Sequence, residues 1–307
     1  MFEVQKKEKK DKKYLLISSP CSTTKAKICL TQGANIESFV VKNRQVITNL
    51  SPLSYKKVYA SSVLFPFANR IKDGKYHFLG DNYTLDCNET EANNALHGLI
   101  YNKRFTVLEK EINFKYSVVS LCYEEKSPPP GFPFYYKINL QYKITIASLE
   151  LEVKITNTGR QKFPFTLGWH PYFHTDNISK SLLRFQSEEK LESDHRNITT
   201  AIKALKTPNP MSLHALALDD AFVLNGNRIV FETPTYTAEL ISSANSNYLQ
   251  LYTPNGIQAI AIEPMTGVSD SFNNKIGLKE LNPRENYKIK WSLNILTNAK
   301  NELVFKK

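Results

Sequence analysis

Residues 138–156 read Ile138-Asn139-Leu140-Gln141-Tyr142-Lys143-Ile144-Thr145-Ile146-Ala147-Ser148-Leu149-Glu150-Leu151-Glu152-Val153-Lys154-Ile155-Thr156. Apolar and polar residues alternate on both sides of Ala147-Ser148. A period of two puts Ile138, Leu140, Tyr142, Ile144 and Ile146 on one face of an extended chain. It does the same for Leu149, Leu151, Val153 and Ile155 in the next segment. Two adjacent strands of this pattern are half-buried and antiparallel, and Ala147-Ser148 is short enough to be their hairpin turn. The same reading extends outward. Asn157-Thr158-Gly159 ends the second strand, and a further strand leads into residues 167–173. Residues 14–17, 26–30, 36–47, 248–252 and 259–262 are apolar and β-prone, and 287–295 alternates from Tyr287 to Ile295. Asp73-Gly74 marks a tight turn into Lys75–Phe78. The proline-rich stretch 127–133 is a loop, because proline has no amide hydrogen to give to a regular element. Residues 178–215 are polar and weakly patterned, a long excursion with short strands. No stretch of helical period rivals these strands. The expected fold is therefore all-β, a large antiparallel β-sandwich, with a charged N-terminal tail over 1–13 and a single domain over 14–307.

Composition narrows the function classes. The chain has 307 residues, of which 41% are hydrophobic and 22% charged, values of a soluble globular protein with a large core. No apolar run approaches the ~20 residues that span a bilayer, and the charged start lacks the apolar stretch of a secretory signal. A cytoplasmic protein with no membrane partner is expected. Cys21, Cys29, Cys87 and Cys122 show no metal-ligand or redox spacing and read as small buried apolar side chains. The net charge of +11 is compatible with nucleic acid or an anionic substrate. However, the six lysines of residues 6–13 have no interleaved aromatics, and no nucleic-acid motif is present, so no nucleic-acid partner is expected.

Several chemistries are excluded by pattern. There is no phosphate-binding glycine loop and no nucleophile-elbow serine. His170 and His174 are four apart, but Pro171 disfavours the helix a zinc pair needs. What remains is a set of polar residues beside turns or prolines: Asn69-Arg70, His97 before Gly98, His170 before Pro171, Asp219 at a strand start, Glu263 before Pro264, and Glu285 after Pro283-Arg284. His170 stands among Trp169, Tyr172 and Phe173, the setting of a sugar-contacting acid or base and equally of a satisfied core histidine. Each of the others also has a plain reading as an ion pair, strand-end acceptor or turn carboxylate.

Taken in order, Asn69-Arg70-Ile71, Asn94-Ala95-Leu96-His97-Gly98, Leu167-Gly168-Trp169-His170-Pro171-Tyr172-Phe173, Leu218-Asp219-Asp220-Ala221-Phe222, Glu263-Pro264-Met265-Thr266-Gly267 and Leu281-Asn282-Pro283-Arg284-Glu285 resemble the aldose 1-epimerase family, the galactose mutarotases. The resemblance implies a galactose-mutarotase-like β-sandwich with a sugar in an open cleft. It implies His170 as the general acid for the ring oxygen, Glu285 as the base for the anomeric hydroxyl, and His97 as a second histidine near the ring oxygen. It further implies that Arg70 and Asp219 hold the sugar hydroxyls, with Asn69 beside them. Many members have glycine where this chain has Arg284, which leaves the substrate open. The implied reaction interconverts the α and β anomers of free galactose or glucose, with acid and base on opposite sides of the ring and no cofactor or metal. The expected partner is a monosaccharide and the expected assembly a monomer or homodimer. A hexose-6-phosphate 1-epimerase and a non-catalytic carbohydrate-binding protein are the alternatives.

Overall fold

The alternating stretch forms the middle of a sheet. Tyr136–Thr145 and Ser148–Asn157 pair antiparallel, with Leu140 opposite Val153 and Tyr142 opposite Leu151. Ile138, Leu140, Tyr142 and Ile144 are fully buried, as are Leu149, Leu151, Val153 and Ile155. The turn lies one residue earlier than expected, at Ile146-Ala147. The hydroxyls of Thr145 and Ser148 are 2.7 Å apart and close the hairpin there, leaving Ile146 57% exposed at the tip. Asn286–Thr297 pairs on the far side of Ser148–Asn157, placing Trp291 opposite Leu151.

The structure, a computed structural model, describes residues 1–206, 208–244 and 247–297; positions 298–307 of the expected domain lie outside the described residues. Two large sheets form the two layers of the sandwich. One has nine strands and contains the hairpin above; the other has thirteen. Their facing sides make one apolar cluster that runs from Phe2 to Ile295 and includes Phe173, Leu249, Leu251, Ile260 and Ile262. Trp169 of the larger sheet stacks on Trp291 of the smaller, ring centroids 6.2 Å apart. No helix among the described residues is long and apolar enough to cross a membrane.

Two expectations are corrected. The charged N-terminus is no tail: Glu3–Lys9 pairs with Lys12–Ser18 across the turn Lys10-Asp11 and forms one edge of the larger sheet. Phe2, 1% exposed, anchors it, while its lysines keep a bare edge in water and discourage pairing with another chain. Cys29 and Cys122 are buried, but Cys21 is exposed on a turn, its thiol pulled down to about 7 by hydrogen bonds from the Ser19 and Thr23 hydroxyls. The excursion 178–215 does contain short strands. Of these, Glu189–Ser193 and Thr199–Ala204 form a hairpin that extends the larger sheet beyond Asp219–Leu224.

Candidate active site

One face of the larger sheet packs on the core, and the other carries the site. Across neighbouring strands, Tyr172 lies opposite Ala261, Ala261 opposite Tyr252, and Tyr252 opposite Asp219. One pleat along, Glu263 lies opposite Gln250 and Gln250 opposite Ala221. Directly opposed residues share a face, and so do residues two apart on a strand. Tyr172, Glu263, Gln250, Tyr252 and Asp219 therefore rise from the same side, while Ile260, Ile262, Leu249 and Leu251 point into the core.

His170 sits in the break between the strands Gly168–Trp169 and Tyr172–His174, at Pro171. Its backbone is tied on both sides, the amide donating to Ser62 O (3.0 Å) and the carbonyl accepting from Ser61 N (2.7 Å). Alternation sends Trp169 and Phe173 into the core, against Trp291 and Phe231, so of the aromatics around His170 only Tyr172 shares its side, ring centroids 5.0 Å apart. The expectation of three aromatic walls is corrected for that reason.

A small separate ribbon brings the other residues. Arg70–Lys72 pairs with Asn94–Leu96, Arg70 opposite Leu96. Asn69 and His97 flank the ribbon's end, joined by a bond from His97 N to Asn69 O (2.8 Å), and both have positive φ. Gly98 follows with φ +76° and lies so close to the Phe65 backbone that a Cβ would meet Phe65 O at 2.2 Å. That close approach turns the His97 ring onto His170, centroids 5.1 Å apart and nearly perpendicular. Tyr59 packs on the other side of His97, its ring 4.9 Å away.

These elements enclose a cavity of about 300 Å³ lined by Asn69, Arg70, His97, His170, Asp219 and Glu263, among others. Glu285 does not line it. The structure puts Glu285 on an exposed turn before Asn286–Thr297, where Oε2 accepts from the backbone and side-chain nitrogens of Asn282 (3.2 and 3.0 Å). The carboxylate beside His170 is Glu263, with Oε1 3.2 Å from His170 Nε2, and both side chains are almost fully buried. In the sequence Glu263 is one of several polar residues beside turns or prolines, and the resemblance implied no role for it. The available signal was a charged residue inside the buried strand Ala259–Met265, where a carboxylate needs a reason to be. Arg284 likewise stands on the exposed turn and not in the cavity. Its φ of 67° explains why glycine suits that position.

The electrostatics follow from burial. Burial pushes the Glu263 carboxyl well above the usual range, and the nearby Asp219 adds to this. Burial lowers His170 to about 4 and holds His97 well below its ordinary value, with His170 contributing. Nδ1 of both histidines and Oε2 of Glu263 have no hydrogen-bond partner among the described residues. Arg70 is gripped by Glu89, which accepts from Nε and Nη2 at 2.8–3.1 Å, and its Nη1 donates to Asn69 Oδ1 (3.0 Å). Burial opposes charge on Glu89, yet the bonds from Arg70 and Asn94 hold it below the usual carboxylate range. Asp219 accepts from Gln250 (2.9 Å) and Asn197 (3.2 Å), and burial raises its pKa. Among the described residues no group of His, Cys, Asp and Glu side chains is placed to hold a metal ion.

Comparison with known proteins bears on the family and the fold. The family model for aldose 1-epimerase matches residues 17–294. The uncharacterized protein YihR of Escherichia coli is 24% identical over 81% of this chain and 83% of its own. Among solved structures, a galactose mutarotase-like protein from Clostridium acetobutylicum superposes with a TM-score of 0.86 at 21% identity, covering 97% of this chain and 99% of that one. The galactose 1-epimerase from Lactobacillus acidophilus does so with a TM-score of 0.79 at 16% identity, covering 97% and 99%. With the ordered motifs, the antiparallel sandwich and a family match over most of its length, this chain belongs to the aldose 1-epimerase family.

Proposed function

We propose that the protein interconverts the α and β anomers of a free aldohexose, with His170 and Glu263 as the acid–base pair. The observation that carries this reading is the 3.2 Å approach of His170 Nε2 to Glu263 Oε1 inside a polar cavity. Opening a cyclic hemiacetal needs a proton on the ring oxygen and removal of one from the anomeric hydroxyl. Both oxygens are bonded to the same carbon, so donor and acceptor must stand side by side and not on opposite sides of the ring, as first expected.

The proton account balances without a net charge change. The pair holds one proton, as imidazolium with carboxylate or as imidazole with carboxylic acid. From the first form, His170 gives its proton to the ring oxygen while Glu263 takes that of the anomeric hydroxyl. The bond from C1 to the ring oxygen breaks and the C1 carbonyl forms, leaving the pair in the second form. The aldehyde rotates about C1–C2 and recloses on its other face. Glu263 then returns its proton to the carbonyl oxygen, and His170 recovers the one on the C5 hydroxyl. Burial favours neutral groups, so it favours the form reached on opening. His97, edge-on to His170, holds the imidazole in place, and Asn69, Arg70 and Asp219 supply hydroxyl partners.

The test is polarimetry of freshly dissolved α-galactose and α-glucose. Enzyme concentrations that leave the spontaneous rate unchanged on both would exclude the reading. A pH prediction follows from the pair holding one proton. Activity falls on the acid side when a second proton binds, and His170, lowered to about 4, sets that limb. It falls on the alkaline side when the last proton leaves, above the ordinary carboxylate range because Glu263 is raised. The kcat/KM profile reports these as values of the pair. An acid limb centred near an ordinary histidine, ~6.5, contradicts the assignment.

A further inference from the structure

Arg196 stands in the turn between Glu189–Ser193 and Thr199–Ala204 and lines no part of the cavity of His170 and Glu263. Its guanidinium nevertheless bonds to the outer end of the ribbon that carries Asn69, Arg70 and His97. Nε donates to Ala92 O (2.8 Å), and Nη2 is shared by Asp73 Oδ1 (2.8 Å), Asn93 O (2.9 Å) and Asn94 Oδ1 (2.9 Å). Asn94 is fully buried, and its Nδ2 donates to Arg196 O (3.2 Å) and to Glu89 Oε2 (2.8 Å). Glu89 in turn grips Arg70. From the same turn Asn197 Nδ2 donates to Asp219 Oδ2 (3.2 Å), and its carbonyl accepts from Ser269 Oγ (2.7 Å). We propose that Arg196 is a positioning residue that ties the ribbon to the larger sheet and so fixes Arg70 relative to Asp219, the two side chains that would hold the sugar hydroxyls. This rests on the epimerase reading above.

The ribbon needs such a tie. Each of its strands is three residues long, and it pairs with neither large sheet. A lone two-stranded ribbon is marginal in water. Its inner end is held where Gly98 packs on the Phe65 backbone. Its edge is held by Asp270, whose amide donates to Arg70 O (2.7 Å) and whose Oδ1 accepts from Lys72 N (3.0 Å). Arg196 holds the outer end. A guanidinium is a planar fork of donors that suits several fixed oxygens at once, whereas an ammonium there is one point charge on a flexible stem. The turn that presents Arg196 is itself closed, because Asp194 Oδ1 accepts from Arg196 N (2.8 Å) and Ile198 N (3.0 Å). The positive charges of Arg70 and Arg196 both favour the ionised form of Glu89 that grips Arg70. Loss of Arg196 therefore loosens the bridge from Asn94 through Glu89 to Arg70, while His170 and Glu263 stay in place on the larger sheet.

The experiment measures kcat and KM by polarimetry on α-galactose and α-glucose in wild type, Arg196→Ala and Arg196→Lys. Calorimetric titration of equilibrated galactose and hydrogen–deuterium exchange of the free protein accompany it. The expected result is a KM raised about tenfold or more in Arg196→Ala and by less in Arg196→Lys, with kcat within about threefold of wild type, the pattern of lost uniform binding. The acid and alkaline limbs of the pH profile keep their wild-type positions. Amides of residues 69–72 and 94–98 exchange faster in both variants, and those of Ser148–Asn157 do not. A merely structural role would lower the folded fraction, and with it the apparent kcat, and leave KM as it was. Unchanged KM and galactose affinity, a fall in kcat alone, or wild-type exchange in the ribbon overturns the proposal. Arg196→Lys, which keeps the charge, carries the test by the same criteria if Arg196→Ala does not fold. If wild type turns over no aldose, yet galactose binds and Arg196→Ala weakens it, the epimerase reading falls and the positioning role stands. If wild type turns over aldoses and Arg196→Ala does so with wild-type KM, the positioning role falls and the epimerase reading stands. If wild type neither turns over nor binds an aldose, both fall.

Discussion

Glu263→Gln is expected to lower mutarotation by about 10²–10⁴-fold, the usual contribution of one positioned acid or base. Glutamine keeps the shape of the side chain and its reach to His170 but cannot take the anomeric proton. The fold should barely notice. Burial already favours the uncharged carboxyl, so a neutral isostere adds no desolvation cost. The melting temperature should shift by no more than the ~2–4 °C that about 1 kcal/mol produces in a large domain. His170→Asn should give a loss of the same order, and the double variant little more than either single one, because the two act as one unit. Glu285→Gln is the control. Its carboxylate binds Asn282 on an exposed turn, so its activity should match wild type. Full activity in Glu263→Gln, or a large loss in Glu285→Gln, would reverse the assignment of the base. Polarimetry beside a thermal melt reads both.

The second large effect is expected at Gly98, where no catalytic atom is involved. Alanine there must adopt φ +76° and place its Cβ against the Phe65 carbonyl oxygen. The left-handed conformation costs about 1–2 kcal/mol and overpacking typically ~1–3 kcal/mol more. The obstacle is backbone, held by the bond from Leu99 N to Phe65 O (2.7 Å), so it cannot swing aside as a flexible side chain would. At ~2–4 °C per kcal/mol the melting temperature should fall by several degrees. Relief of the clash would rotate His97 away from His170 and lower activity further at temperatures where the variant is folded. Wild-type melting and wild-type kcat in Gly98→Ala would show that the ribbon end does not hold His97 in place.

Together these variants separate two tasks. The larger sheet supplies the proposed pair, His170 and Glu263, on the face turned away from the core, and a short ribbon outside that sheet presses His97, Asn69 and Arg70 over it. A wide central sheet keeps His170 and Glu263 at a fixed separation because strand spacing and pleat leave little freedom. The ribbon is smaller and depends on single residues such as Gly98. Changes there should spread into both stability and turnover, whereas changes to the pair should affect turnover alone.

The sequence by itself determined the class of fold. Strict alternation over 138–156 admits only half-buried strands, and local period is enough to say so. It also determined which side chains near His170 share a face, since Trp169 and Phe173 differ from Tyr172 by odd steps along the chain. The ordered motifs named Asn69, Arg70, His97, His170 and Asp219, and these line one cavity. Only the tertiary structure decided which glutamate meets His170. Glu263 and Glu285 each stand next to a proline-containing stretch; the apolar run Ala259–Ile262 before Glu263 points to a buried strand, but nothing local says which of the two carboxylates meets His170. That distinction is a matter of strand order: Ala259–Met265 lies between Tyr172–His174 and Asn247–Tyr252, while the turn of Glu285 leads into the other sheet. Pairing between strands far apart in the chain sets such neighbours, and the period of any single strand carries no record of them.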